Sequence, residues 1–149
     1  MSFPTKKAAA GTAWIRQLWA PMILWGHYVV NEHHPARLAN GYACNATLTM
    51  PTDFSTLNNL NLILYPAANA NITIRVTISF GQDGEAFNTH TQWQNVVVAM
   101  VANVFTSIDL VATFGALLAN LAAGDHLLVR VDHLVATLIY VYGVDARYS

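Results

Sequence analysis

The stretch NITIRVTISF, residues 71–80, alternates apolar and polar side chains without a break. Its apolar members are Ile72, Ile74, Val76, Ile78 and Phe80. Because successive side chains of a β-strand point to opposite faces, this repeat of two residues predicts a strand with one face in a core and the other in water or in a polar contact. A slip of one residue would exchange the two faces, so the pattern also favours a single register.

Turn-forming residues interrupt short apolar runs at near-regular intervals on both sides of this strand. They are Pro51-Thr52-Asp53, Pro66-Ala67-Ala68-Asn69, Gly81-Gln82-Asp83-Gly84 and Gly124-Asp125. Several short strands at such spacing are typical of an all-β sandwich or barrel. Further strands are predicted at residues 22–30, 42–50, 60–65, 92–101, 104–110, 126–133 and 135–142. We therefore predict an all-β fold: a single-domain antiparallel β-sandwich, jelly-roll-like, of about eight strands with one short helix.

The short helix is predicted between residues 109 and 120, where the alternation stops. Apolar side chains there recur at helical spacing: Leu110, Phe114, Leu117, Leu118 and Leu121. Asp109 is a suitable N-cap, and the turn that ends at Gly124-Asp125 closes the segment.

The composition predicts self-association and argues against a nucleic-acid partner. Charged residues make up only 10% of the 149 residues, against roughly 25% in an average soluble domain. A monomer with so few charges has difficulty covering its surface, so we expect a homo-oligomer. The net charge is -1 and the seven basic residues are scattered, which leaves no basic stripe for phosphates.

The N-terminal segment is predicted to contact a partner. Residues 1–20 are expected to form a flexible or partner-docking arm, and residues 21–149 the β-sandwich domain. Arg16, Gln17 and Pro21 interrupt the apolar run, which makes it too short for a membrane span of about 20 apolar residues. Aromatic anchors concentrate at protein interfaces. Three tryptophans are therefore the predicted oligomer interface: Trp14, Trp19 and Trp25.

No catalytic, cofactor-binding or metal-binding residues are predicted. The single cysteine, Cys44, excludes an internal disulfide and is expected to be a buried small hydrophobic residue. The histidines lack the spacing of a metal site; they are His27, His33, His34, His90, His126 and His133. Asp132 and His133 are neighbours on a predicted strand, so their side chains should face apart. The other carboxylates fall mostly at turns, where Asp is a common turn former.

Exposed aromatic residues leave a second function open. Trp93, Phe87 and Tyr28 could form a platform on which sugar rings stack. The alternative to a structural protein is therefore a carbohydrate- or receptor-binding β-sandwich module. A third alternative is an enzyme whose site is assembled from Asp, Glu and His on loops.

Four segments together resemble small jelly-roll β-sandwich virion proteins of tailed bacteriophages, the capsid decoration, head-fibre or tail-associated group. These segments are ANGYA (39–43), LTMPTDF (48–54), FGQDGEAFNTH (80–90) and LAAGDHLLVR (121–130). The resemblance covers roughly residues 39–148. It implies a non-enzymatic viral structural protein, located in the virion, that assembles as a symmetric homo-oligomer, a trimer or a larger array. It also implies a major capsid or other virion protein as partner.

Overall fold

The computed structural model describes residues 15–24 and 36–149. Its elements, in chain order, are β1 (Arg16–Pro21), β2 (Ile23–Leu24), β3 (Ala36–Leu38), β4 (Ala43–Thr49), β5 (Leu57–Pro66), β6 (Ala70–Gly81), β7 (His90–Met100), β8 (Thr106–Asp109), α1 (Leu110–Leu118), β9 (His126–His133) and β10 (Ile139–Tyr148). The described residues thus contain ten strands where the sequence predicts about eight. The additional strands are short or lie in the N-terminal region, where the sequence carries no clear alternation.

The strands form two antiparallel sheets. Sheet I runs in the order β1-β10-β5-β8, and the short β3 also pairs with β10. Sheet II runs in the order β2-β4-β9-β6-β7. The chain repeatedly crosses from one sheet to the other, since β4 and β6 belong to sheet II and the intervening β5 belongs to sheet I. In the same way, β8 and β10 belong to sheet I and the intervening β9 belongs to sheet II. The fold is an all-β, jelly-roll-like sandwich with one short helix, as the sequence predicts.

The core lies between the inner faces of the two sheets. On β6 the alternation is confirmed: Ile72, Ile74, Val76, Ile78 and Phe80 are buried. Ser79, which the pattern assigns to the open face, is also buried. Its hydroxyl lies 2.8 Å from that of Thr91 on β7, so the polar group is satisfied by a neighbouring strand.

Helix α1 begins and ends close to the predicted limits. The side chain of Asp109 accepts hydrogen bonds from the backbone N–H groups of Val111 and Ala112, which makes it the N-cap. Leu110, Phe114 and Leu118 face the core. The last strand differs more: it is predicted at residues 135–142 and observed at Ile139–Tyr148.

The predicted boundary between arm and domain at residue 21 lies inside a strand. Residues 16–21 form β1, which pairs with β10 from Arg16 opposite Tyr148 to Pro21 opposite Gly143. Ala20 is buried in the core while Trp19 points outward. Residues 16–20 therefore belong to the sandwich, because they pair with β10 at an edge of sheet I. Residues 1–14 of the predicted arm lie outside the described residues.

Candidate glycan-binding face

The outer face of sheet II carries a row of polar side chains that ends at a tryptophan. Asn45 on β4 pairs with Arg130 on β9, which pairs with Thr77 on β6, which pairs with Trp93 on β7. Directly paired residues of neighbouring strands point to the same face of a sheet. The row crosses three inter-strand spacings of about 4.8 Å, or roughly 14 Å.

Trp93 is the aromatic end of this row. Its side chain lies on an outer face and is 57% exposed, so it is not a core residue. The guanidinium carbon of Arg75 lies 4.5 Å from the centroid of its ring. The Arg75 Nε also donates to Asn95 Oδ1 at 3.4 Å. Both contacts favour a position of the guanidinium over the ring.

A groove of about 330 Å³ lies at the other end of the row. Its lining residues are Ala43, Cys44, Asn45, Phe87, Leu128 and Arg130. Phe87 is 77% exposed and belongs to the loop between β6 and β7, so it forms a wall of the groove and is not part of the core. Phe87 and Trp93 therefore flank a floor that combines the polar row with the apolar side chains of Ala43 and Leu128.

The loop that carries Phe87 is braced against the sheet. The carboxylate of Glu85 accepts from the backbone N–H of Gln82 at 2.8 Å, and Gly84 adopts a φ of +90°, which favours glycine. His126 Nε2 lies 2.8 Å from Asp83 Oδ1, and His126 Nδ1 lies 3.0 Å from Thr49 Oγ1. An ionised aspartate only accepts, so Nε2–H donates to Asp83 and, in the neutral ring, the Thr49 hydroxyl donates to Nδ1.

This line of hydroxyl, imidazole and carboxylate also has the order of a hydrolytic triad. Asp83 is almost fully exposed and the imidazole is about half exposed, so water competes for every contact. The contact joins the tip of a loop to the end of a strand, and we assign it to loop bracing. Sequence reasoning missed it because its three members lie on separate elements.

A carboxylate on the floor of the face neutralises one of two arginines. Arg130 donates from Nη2 and Nε to Asp132, with a shortest contact of 2.8 Å. Among the described residues, no carboxylate lies within ion-pairing distance of Arg75. Beneath the floor, burial raises the pKa of the Cys44 thiol well above its usual range, and the Asp132 charge adds to the effect. Cys44 therefore remains a protonated thiol, buried as the sequence predicts.

The other residues singled out from the sequence occupy separate places. Asp132 faces outward and His133 is buried, which confirms that these neighbours point apart. Tyr28, Trp14, Trp25, His27, His33 and His34 lie outside the described residues. Within the part of the chain that the structure describes, no group of three or more His, Cys, Asp or Glu side chains could hold a metal ion. The same residues contain no helix long and apolar enough to cross a membrane.

Trp19, a predicted interface residue, lies on the opposite side of the molecule. On the outer face of sheet I, the ring centroids of Trp19 and Tyr142 are 5.1 Å apart, and those of Phe105 and Tyr142 are 5.5 Å apart. The ring centroid of Tyr65 lies 5.2 Å from that of Phe105 and 4.9 Å from that of Tyr140. We call these five residues the aromatic cluster; Phe105 is 60% and Trp19 43% exposed. A role in oligomer formation remains a prediction.

Comparisons with known proteins identify the fold class. No family model matches the chain, and no curated protein matches it. A family two carbohydrate esterase from Cellvibrio japonicus is similar, with a TM-score of 0.50 and 11% identity over 91% of this chain and 34% of that one. The chain thus spans about a third of the esterase's length. A xylan-binding module, CBM15, has a TM-score of 0.48 and 10% identity over 91% of this chain and 97% of that one. At such identities the esterase likeness shows a shared β-sandwich fold alone.

Proposed function

We propose that the protein is a non-catalytic carbohydrate-binding β-sandwich module whose site is the outer face of sheet II. The observation that carries the proposal is the pair of exposed aromatic side chains, Phe87 and Trp93, on either side of a polar floor. Among the functions that the sequence leaves open, carbohydrate binding is the one that uses the exposed side chains of this face. The virion role implied by the sequence resemblance remains an untested prediction.

The chemistry of the face matches that of a sugar chain. Sugar rings have apolar C–H faces, which stack on aromatic rings, and hydroxyl groups at their edges, which need donors and acceptors. Asn45 offers both kinds of group and Thr77 offers a hydroxyl. Binding sites of this type combine apolar contact area with a few placed polar groups that fix orientation.

The shape of the face favours an extended ligand. The groove at Phe87 contains Asn45 and Arg130, and the polar row continues from these residues toward Trp93. The row from Asn45 to Trp93 spans roughly 14 Å of sheet, three inter-strand spacings, and a ligand that lies along it needs a similar length. A chain of several sugar units meets this requirement, whereas a single sugar contacts one aromatic residue at a time.

Binding to soluble polysaccharides tests the proposal. Isothermal titration of the full chain against a panel of neutral and acidic plant and bacterial polysaccharides should identify at least one ligand. Trp93→Ala and Phe87→Ala should each weaken binding at least about tenfold, which corresponds to about 1.4 kcal/mol. Phe105→Ala, which removes an exposed aromatic residue from sheet I, is the matched control and should bind like the parent protein.

Two results would overturn the proposal. Absence of binding to every polymer of the panel would remove the function. Loss of binding in Phe105→Ala, with binding retained in Trp93→Ala, would move the site to the aromatic cluster of sheet I.

A further inference from the structure

We infer that the ligand is an acidic glycan, whose uronate carboxylates bind the guanidinium of Arg75. This inference rests on the proposed function and names the class of its ligand. Arg75 points outward from β6, next to the polar row and beside Trp93. A sugar that contacts Trp93 therefore brings its substituents close to this cation.

Among the described residues, Arg75 has no carboxylate partner of its own. Asp132 pairs in register with Arg75, yet its carboxylate binds Arg130, with contacts of 2.8 to 3.3 Å. The carboxylate nearest to Arg75 in the register is thus taken by another arginine. Among the described residues, the Arg75 Nε donates only to a neutral amide oxygen, that of Asn95, at a long 3.4 Å. A carboxylate brought by the ligand would give Arg75 a charged partner.

Asp83 of the Phe87 loop is too distant from Arg75 to act as its partner. Asp83 is bound to His126, which pairs with Gly81, six positions along β6 from Arg75. At about 3.3 Å per residue this separation is roughly 20 Å. The Debye length at physiological salt is about 8 Å, so the Asp83 charge is largely screened at Arg75.

Arg75 is also held in a geometry suited to a carboxylate. Its planar guanidinium lies over the Trp93 ring, which restrains the side chain without using its N–H donors. An arginine fork can bind the two oxygens of a carboxylate side by side. Hydroxyl groups of a neutral sugar lack the charge and the paired oxygens that this arrangement favours.

The test compares acidic polymers with their own neutral forms. Polygalacturonate, alginate and glucuronoxylan are each titrated before and after chemical reduction of their carboxyl groups, which keeps the sugar backbone. At least one untreated polymer should bind about tenfold or more tightly than its reduced form. Raising the NaCl concentration from 50 to 500 mM should weaken binding of the untreated polymer and leave the reduced form nearly unchanged.

Arg75→Gln should reduce this preference to about threefold or less. Arg147→Gln removes the same charge from the outer face of sheet I, where Arg147 lies near Asp145, and should keep the full preference. Circular dichroism and thermal unfolding of both variants confirm that each remains folded.

Each contrary outcome has one meaning. Equal binding of untreated and reduced polymers, or binding of neutral polymers alone, would overturn the acidic ligand and leave the carbohydrate-binding function in place. A preference that survives Arg75→Gln would overturn the assignment to Arg75, whatever the result for Arg147→Gln. Absence of binding to any polysaccharide would overturn the proposed function, and the acidic ligand with it.

Discussion

The guanidinium of Arg75 lies 4.5 Å from the centroid of the Trp93 ring, on the outer face of a sheet whose inner face forms half of the core. The two residues are on neighbouring strands, two positions apart in the register, since Arg75 pairs with Asn95 and Trp93 with Thr77. Their contact is a cation–π interaction between diagonal neighbours, and it should be measurable.

A double-mutant cycle should detect this contact. At exposed sites a cation–π pair contributes about 0.5–1 kcal/mol. The cycle of Arg75→Gln, Trp93→Ala and the double variant, followed by urea unfolding, should give a coupling free energy of this size. A coupling of zero would show that the two side chains are independent in solution.

The two faces of β6 should respond differently to substitution. Ile74 is buried in the core, so Ile74→Ala should lower the free energy of unfolding by about 2–5 kcal/mol. Thr77 is on the outer face, and Thr77→Ala should change it by less than about 0.5 kcal/mol. Equal losses in the two variants, measured by chemical denaturation, would contradict the assigned facing.

Gly143 should tolerate no side chain. A Cβ at this position would lie 2.5 Å from the Ala20 carbonyl oxygen and 2.5 Å from the Trp19 ring. Gly143→Ala should therefore push β1 from β10 and destabilise the protein by about 1–3 kcal/mol. Gly115 in α1 has open space around it, and the control Gly115→Ala should be neutral or stabilising by up to about 1 kcal/mol. A neutral Gly143→Ala in thermal unfolding would show that β1 is easily displaced.

Acid should destabilise the protein through His133. This side chain is fully buried, its Nε2–H donates to the Thr137 carbonyl oxygen, and Nδ1 has no hydrogen-bond partner among the described residues. Burial lowers the pKa of His133 from its ordinary value of 6.5. The unfolded chain therefore binds the proton first, and the free energy of unfolding should fall as the pH drops below about 6.5. His133→Gln, which keeps a donor, should show a flatter profile between pH 7.5 and pH 5; an identical slope would assign the effect elsewhere.

Self-association is predicted from the low charge and the tryptophans. The aromatic cluster contains Trp19 and is therefore the surface at which we expect the contact. If that cluster is an interface, the parent protein should elute as an oligomer in size-exclusion chromatography with light scattering. Phe105→Ser should then shift it toward the monomer, because Phe105 is the most exposed member. A monomeric parent protein at high concentration would contradict the prediction. Deletion of residues 1–20 is a poor test, since it removes β1 and exposes an edge of β10.

Local patterns in the sequence determined the fold class and much of the core. The alternation in β6 predicted which side chains are buried, because a strand with a two-residue period and one apolar face can place only that face in the core. Asp109 marked the start of α1 because a carboxylate that accepts from the first N–H groups of a helix acts at short range. The last strand was misplaced because residues 133–142 are apolar or β-branched almost throughout and contain no turn signal.

Only the tertiary structure decided where the candidate site lies. The sequence named Phe87 and Trp93 as aromatic candidates, but strand pairing placed Arg130 and Thr77 between them, and these residues are 53 positions apart in the chain. The bracing of the loop by His126 and Asp83 likewise depends on which strands become neighbours. Pairing between distant strands is set by the sum of core contacts and sheet hydrogen bonds over the whole domain, and no local pattern encodes that sum.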